Sequence, residues 1–320
     1  CPLRKDEARE VFRSIFSEIA EMHPSKYIHI GCDETRLLGR DARCSGYVRE
    51  NGRSKLFTGY VATMCEVVRE LGKIPIIWAD ILLQNPEAAS ELPRDVVIAD
   101  WNYGWKADHF GDIDALLAQG FEMWGASSLR SSPDNIYITQ WDKHFANLRE
   151  YIPFCREKGF KGIIQTSWST SGQYGYIWDQ NSAVELQPVR EVYPAQAFDI
   201  LWQAFFKAVA DSVALRDDFA AHYLQKHFRI SAEDAGALSA LFSTPQNTVT
   251  GKNFTRERID SELAAARALR KTVGGIHPRS CRKEFSHYAL MLDIRINYLQ
   301  FKGLEIEFES PHADRSLIAS

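Results

Sequence analysis

The sequence contains no long apolar run, no block of basic residues and no paired-cysteine motif. Its most apolar stretch, residues 200–206, lies between Asp199 and Lys207, so no segment approaches the roughly 20 apolar residues that cross a bilayer. With 38 Lys and Arg against 42 Asp and Glu the net charge is −4, and no basic patch could follow a phosphate backbone. We therefore expect a globular protein whose partners include neither a membrane nor nucleic acid.

The 6 cysteines lack the spacing of a metal or disulfide motif. None forms a C-x-x-C pair, and no histidine follows at a distance typical of zinc ligands. We interpret them as reduced thiols, which slightly favours the cytoplasm over an oxidising compartment. The sequence predicts neither a metal ion nor a cofactor. The cysteines are at positions 1, 32, 44, 65, 155 and 281.

What the sequence does have is a regular alternation of β-type and helical segments. Apolar β-rich runs predict strands at 27–31, 74–78, 95–101, 121–125 and 162–168. Helical apolar spacing predicts helices at 5–22, 56–71, 108–119 and 142–158, with a loop at 127–135. Buried strands that alternate with helices form parallel α/β sheets. A TIM barrel and an open doubly wound sheet both satisfy this pattern.

Tryptophan placement favours the barrel. Four of the 8 Trp residues each lie at the carboxyl end of a different predicted strand, which is the face on which TIM barrels build their active sites. Each indole alone could equally pack the barrel core. Together they suggest a platform for the flat C–H faces of a sugar. The four are Trp78, Trp101, Trp124 and Trp168.

An acidic pair, Asp33 and Glu34, follows the first predicted strand. Such a pair at a loop entry is often merely solvated or caps a helix. On a face with several Trp residues it suits glycoside chemistry, where one carboxyl protonates the leaving oxygen and another stabilises a positively charged sugar. A metal-dependent hydrolase that uses His29, Cys32, Asp33 and Glu34 is disfavoured, since neighbouring residues of a strand cannot all face one ion.

With these residues the sequence resembles the glycoside hydrolase family 20 β-N-acetylhexosaminidases, and in particular their hexosaminidase D-like branch. The family signature His-x-Gly-Gly/Ala-Asp-Glu, at the end of the fourth barrel strand, is matched by residues 29–34, with Cys32 in the variable small position. Residues 76–80 resemble the segment with the fifth-strand Trp, residues 100–101 the sixth and residues 166–169 the eighth.

The resemblance implies a retaining exo-hydrolase of terminal β-linked GlcNAc or GalNAc glycosides. In that family the substrate's own acetamido oxygen attacks the anomeric carbon and gives an oxazolinium intermediate. Asp33 would hold the acetamido N–H, and Glu34 would act first as general acid and then as general base. His29 would be a structural hydrogen-bonding residue below the pair. The residues implied to bind the sugar are Trp78, Trp101 and Trp168, with Tyr103 or Tyr137 as donor to the acetamido oxygen.

The sequence departs from the family pattern in two places. Thr170 stands two residues after the eighth-strand Trp, where many members carry an acidic residue, so recognition of the 4- and 6-hydroxyls stays open. Only strands 4 to 8 of the eight-stranded barrel are represented, so we expect the C-terminal portion of a longer polypeptide. A homodimer, or a second chain that completes the barrel, could supply the rest. A non-catalytic carbohydrate-binding or scaffold fragment is the alternative function.

The pattern changes near residue 210. Beyond it, amphipathic helices are predicted at 213–228, 231–242, 255–273 and 281–300. We therefore predict an α/β fold, a partial (β/α)8 TIM barrel at 1–210, followed by an α-helical region at 211–320. Because the helical region has no convergent polar cluster in its sequence, stability or dimerisation is a better interpretation of it than catalysis.

Overall fold

The computed structural model describes residues 5–131, 139–168, 198–211, 215, 218–244 and 255–309. It contains a five-stranded sheet whose strands lie side by side in chain order. All five correspond to predicted strands. They are β1 (Tyr27–His29), β2 (Ile74–Trp78), β3 (Val97–Trp101), β4 (Glu122–Arg130) and β5 (Gly162–Ser167).

The strand order and direction decide between the two predicted sheet types. The pairs β1–β2, β2–β3 and β3–β4 are parallel. Lys161 N donates to Met123 O at 2.9 Å and Trp168 N donates to Arg130 O at 3.0 Å, so β5 also runs parallel to β4. A doubly wound sheet reverses its strand order at a switch point, and the described strands show no such reversal. The sheet is therefore a half-barrel, as the Trp placement predicts.

Helices alternate with these strands and then continue alone. The first group is α1 (Lys5–Met22), α2 (Ala42–Asn51), α3 (Arg53–Glu70), α4 (Asp80–Gln84), a 3-10 turn at Pro86–Glu91, α5 (Ile113–Ala118) and α6 (Trp141–Glu157). The second group is α7 (Asp199–Ala210), α8 (Phe219–Phe228), α9 (Ala232–Ser243), α10 (Arg256–Gly275) and α11 (Arg282–Glu309). The helical character predicted beyond residue 210 is thus confirmed.

Two predicted boundaries are wrong, each for a local reason. The helix predicted to begin at 108 begins at Ile113, because the carboxylate of Asp112 accepts a hydrogen bond from Asp114 N at 2.9 Å and caps the helix there. The strand predicted to end at 125 continues to Arg130, into the segment predicted as a loop. Its Ser127 and Ser128 are both fully buried, and small polar residues can extend a strand when their backbone groups stay paired.

The two faces of the sheet carry different side chains because neighbours in a strand point in opposite directions. On one face Ile77, Ile98 and Met123 pack in a core that also contains helix residues such as Phe57 and Val61 of α3. The other face has a smaller cluster with Trp78 and Trp124 at its periphery; its buried members are Ile76, Val97 and Ala99. The second face is the one that faces inward in a barrel.

Strand β1 is three residues long. In the part of the chain that the structure describes it pairs with β2 alone, so it forms one edge of the sheet.

Backbone contacts group the chain into two compact units. The first consists of Cys1–Ser127 and Tyr151–Ile164, and the second of Ser128–Glu150 and Gln165–Ser320. The boundary at residue 210 between a barrel portion and a helical region stays a prediction.

Within the second unit, the C-terminal helices pack in pairs. Helix α8 contacts α9, and α10 contacts α11. The α10–α11 pair buries Ile259 and Ala266 against Tyr298 and Leu299. Among the described helices, none combines the length and the apolar character that a membrane span requires.

Candidate active site

The acidic pair lies in a tight turn directly after β1. Gly31 O accepts from Trp78 N at 3.0 Å, so the chain still follows β2 at this point. Cys32 and Glu34 then have φ values of +75° and +45°. Such left-handed conformations cost about 1–3 kcal/mol for a non-glycine residue and concentrate at functional sites. Other groups must therefore hold this turn in place.

Asp80, the first residue of α4, provides that support. Its residue is 2% exposed. Oδ2 of Asp80 accepts from Glu34 N at 2.9 Å, and Oδ1 accepts from Trp101 Nε1 at 3.4 Å. Burial raises the pKa of Asp80 above its ordinary value, although the two hydrogen bonds favour the ionised form. One buried carboxylate thus joins the ends of β1, β2 and β3.

Trp101 is the centre of an aromatic cluster that follows β3. Its ring centroid lies 4.3 Å from that of Phe110, 5.2 Å from that of Tyr103 and 5.4 Å from that of Trp105. Tyr103 is 6% exposed. Tilted and edge-on contacts of this kind are the preferred arrangements of aromatic pairs. The cluster therefore fixes the orientation of the Trp101 ring.

A cavity of about 650 Å³ opens beside Glu34, and its wall includes Asp80, Trp101 and Phe110. Cavities of this size commonly hold small-molecule ligands. Apolar aromatic faces and hydrogen-bonding groups are therefore both available to one ligand. The polar groups in the wall are contributed by Arg36, Arg53, Ser54, Gln84 and Asn85.

The side chain of Glu34 is held only loosely. Its Oε1 accepts from Arg36 Nη2 at 2.9 Å, and the two side chains are 52% and 79% exposed. Exposed ion pairs contribute about 0–1 kcal/mol because water screens them. The carboxyl of Glu34 can therefore leave this pair at little cost and turn toward a ligand, while its backbone stays bonded to Asp80.

His29 makes the contacts of a structural residue. Its Nδ1 accepts from Gly31 N at 3.0 Å, and its ring lies 4.2 Å from the ring of Trp78. Burial lowers the pKa of His29 to about 4, so the ring is neutral at pH 7. Its Nε2 is buried and has no hydrogen-bond partner among the described residues.

Cys32 is also turned toward the protein. Its Sγ contacts Ile30 O at 3.6 Å, and burial raises the pKa of this thiol to about 12. The donors of His29 and Cys32 thus face backbone groups. This arrangement agrees with the low weight given to a metal site at residues 29–34.

A second buried carboxylate lies next to Trp101. Tyr151 OH donates to Asp100 Oδ2 at 2.6 Å and to Asp100 O at 2.8 Å. Asp100 is 2% exposed, and burial raises its pKa to about 6. This pair anchors the end of β3 to α6.

A comparison with known families decides where this site belongs. The model of "Glycosyl hydrolase family 20, catalytic domain" matches residues 2–169, slightly more than half of the 320 residues. The chain belongs to glycosyl hydrolase family 20. The matched range contains the acidic turn, Asp80 and the aromatic cluster around Trp101.

The relatives with curated names are hexosaminidases. The chain is 25% identical over 192 residues to hexosaminidase D of Bos taurus, covering 54% of this chain and 55% of that protein. It is 20% identical over 176 residues to beta-hexosaminidase subunit beta of Mus musculus, covering 53% of this chain and 30% of that protein. It therefore spans about half the length of the bovine relative and less of the murine one.

One similar solved structure is the GH20 exo-β-N-acetylglucosaminidase from Vibrio harveyi in complex with N-acetylglucosamine. It shares 17% sequence identity at a TM-score of 0.40, over 65% of this chain and 31% of that chain.

The structure brings some of the predicted family 20 residues together. Glu34 and Trp101 line the same cavity, and Tyr103 packs against Trp101. Asp33 is exposed and directly precedes Glu34 in the turn. Trp78 lies at the end of β2 against His29 rather than in the wall of the cavity.

Other predicted residues are separate from this group or outside the described residues. Trp168 follows β5 in the second unit and is 47% exposed. Tyr137 and Thr170 lie outside the described residues. Their roles stay predictions.

Sequence reasoning missed Asp80 as a functional residue of this family 20 site. The residue is visible in the segment Ile-Ile-Trp-Ala-Asp that carries Trp78, at the end of a strand and the start of a helix. A carboxylate at this edge of a parallel sheet is placed to meet groups from neighbouring strands. Its hydrogen bonds to Glu34 and Trp101 could be found only from the fold.

Proposed function

We propose that this chain carries the acid/base centre of a retaining exo-β-N-acetylhexosaminidase that hydrolyses terminal β-linked GlcNAc or GalNAc. The observation that supports this best is the position of Glu34, which lines a cavity with Trp101 and is held by Asp80 through its backbone. Membership of family 20 supports the substrate class. The names of the relatives point to the same class.

In the first proposed step the acetamido oxygen of the substrate attacks the anomeric carbon. The glycosidic C–O bond breaks as Glu34 gives its proton to the leaving oxygen, and a cyclic oxazolinium forms. Asp33 accepts a hydrogen bond from the acetamido N–H, which orients the group and stabilises its positive charge. Trp101 and Trp78 supply apolar faces for the sugar.

In the second step water attacks the anomeric carbon from the face that the leaving group has vacated. Glu34, now a carboxylate, takes a proton from this water, and the acetamido group is restored. Two displacements at one carbon return the original β configuration. Since the pair of Glu34 with Arg36 is exposed, substrate can displace it without a large free-energy cost.

The first test replaces the proposed acid. Glu34→Gln should lower kcat for an aryl β-GlcNAc glycoside by about 10²- to 10⁴-fold, the usual contribution of a general acid. Glu50→Gln is the matched control, because Glu50 is exposed on α2, outside the wall of the cavity. Normal turnover by folded Glu34→Gln protein would exclude Glu34 as the acid.

The second test concerns the acetamido nucleophile. Progressive fluorination of the N-acetyl methyl group withdraws electrons from the attacking oxygen, so kcat should fall along the series. A thiazoline analogue of the oxazolinium should inhibit strongly, since transition-state-like analogues bind more tightly than substrates. Rates that do not depend on fluorination would indicate a different nucleophile.

A second candidate is a non-catalytic sugar-binding or scaffold protein. The observation that favours it is the exposure of Asp33 and Glu34, because carboxyls in water lack the enclosed setting of most acid catalysts. This candidate predicts that the chain binds GlcNAc, measured by quenching of Trp fluorescence, without releasing aryl alcohol. Hydrolysis that is lost in Glu34→Gln would reject it.

A further inference from the structure

A cluster of metal-binding side chains lies where the end of α8 meets the start of α11. Donor atoms of His227, Cys281 and Glu284 all lie within 4.8 Å of one another. Nε2 of His227 is 2.8 Å from Oε2 of Glu284. All three residues belong to the second unit, apart from the proposed acid/base centre.

The fold builds this cluster from segments that are distant in the chain. Backbone N–H groups of Arg279 and Ser280 donate to Phe228 O at 3.0 and 3.2 Å, which brings the segment before α11 to the end of α8. The ring of Tyr223 stacks on the ring of His227, with centroids 4.9 Å apart and planes 16° apart. The imidazole is thus held in one orientation. Cys281 precedes α11 and is exposed, so an ion can reach it from solvent.

An unpartnered buried oxygen points to a ligand. The Glu284 side chain is 10% exposed, and its Oε1 has no hydrogen-bond partner among the described residues. The hydroxyl of Tyr223, whose ring covers His227, is likewise buried without one. Buried polar atoms are nearly always paired in native proteins, because each unpaired one costs free energy. A bound cation would compensate the carboxylate.

We infer that His227, Cys281 and Glu284 bind a zinc ion. A thiolate, an imidazole and a carboxylate together suit a borderline-soft ion such as Zn²⁺, whereas Mg²⁺ and Ca²⁺ prefer oxygen ligands alone. Tetrahedral Zn²⁺ holds its N and O ligands about 3.3 Å apart, given bond lengths of about 2.0–2.1 Å. Small side-chain rotations from the separations in the structure therefore suffice. A water molecule completes the four-coordinate shell.

The ion would cross-link α8 and α11. It replaces the hydrogen bond between His227 and Glu284 with two bonds to one metal and adds the thiolate of Cys281. A ligand that binds the folded state alone raises the stability of that state. The zinc site is thus structural, and it does not depend on the proposed hydrolase activity.

The test uses the whole reduced chain with Co²⁺ as a spectroscopic substitute for Zn²⁺. We expect one Co²⁺ per chain, with thiolate-to-metal absorption in the near ultraviolet, and displacement of Co²⁺ by Zn²⁺. Zn²⁺ should also raise Tm and protect Cys281 from alkylation. Cys281→Ser and His227→Gln should each weaken Zn²⁺ binding by at least about tenfold, since each removes a ligand.

The control is His222→Gln, which removes an exposed histidine from the same helix. It should leave the affinity and the absorption band unchanged. The inference is wrong if folded chain shows no thiolate band with Co²⁺, or if His222→Gln and His227→Gln lose the same affinity. Circular dichroism and the Tm without metal confirm that each variant is folded before its affinity is compared.

Discussion

Replacement of Asp80 by Asn tests whether a buried carboxylate controls the conformation of the proposed acid. Two N–H donors converge on the Asp80 oxygens, from the Glu34 backbone at 2.9 Å and from the Trp101 indole at 3.4 Å. Asparagine keeps one of these oxygens and places an NH2 group against the other donor. Whichever way the amide turns, one donor therefore loses its acceptor.

The magnitude follows from two comparable free energies. A hydrogen bond to a charged group contributes about 1.5–3 kcal/mol. The left-handed conformation of Glu34, at φ +45°, costs about 1–3 kcal/mol. Loss of the first lets the second relax, so the turn leaves its present conformation. At 1.4 kcal/mol per factor of ten, we expect kcat/KM to fall about 10- to 150-fold.

The assay measures kcat and KM for aryl β-GlcNAc together with the free energy of unfolding in urea. The loss should be mainly in kcat, because Asp80 positions Glu34 rather than the sugar. Asp142→Asn is the matched control, since Asp142 is exposed at the start of α6. A folded Asp80→Asn variant with wild-type kcat/KM would refute the role of the carboxylate. Loss of activity that only follows the folded fraction would reduce it to a stabilising residue.

Three further changes have defined outcomes. Burial raises the pKa of Asp100 from 3.8 to about 6, so its contribution to stability is greatest below pH 4 and falls by up to about 3 kcal/mol as pH rises through 6; in urea unfolding, Asp100→Asn should flatten this dependence. A Cβ on Gly111 would lie 2.0 Å from Leu83 O, whereas one on Gly120 meets nothing within 4 Å; Gly111→Ala should therefore lower Tm well below that of Gly120→Ala, although both residues have positive φ, and equal Tm values would contradict the clash. Trp101→Phe should raise KM for an aryl glycoside about 2- to 10-fold, the value of one aromatic contact, and an unchanged KM would remove Trp101 from the sugar site.

Much of the fold could be predicted because local patterns and the barrel agree. The strand at 74–78 was predicted to the residue, since its Ile-rich run ends at Trp78 and buries both faces. Helix α1 was likewise predicted with its observed bounds. The start of α5 was missed because the aromatic residues before it mimic helical spacing, while Asp112 caps the helix later. Propensity is a weak guide when side-chain capping and tertiary packing oppose it.

The site was predictable only in part. The pair Asp33 and Glu34 could be found because its residues are adjacent in the chain. The support from Asp80 could not, because its hydrogen bond to Glu34 joins residues that only the parallel sheet brings together. The same holds for His227 and Cys281, which lie in separate helical segments and match no zinc spacing. Contacts between distant segments have no local signature in one sequence.

The length of β1 also bears on how the protein behaves at high concentration. An edge strand offers unpaired N–H and C=O groups to other molecules, and long flat edges promote intermolecular β-pairing and aggregation. Three residues, Tyr27–His29, offer very few such groups. Directly after them the backbone enters left-handed conformations at Cys32 and Glu34, which no incoming extended strand can match. The strained turn that presents the acidic pair thus also shortens the adhesive edge of the sheet.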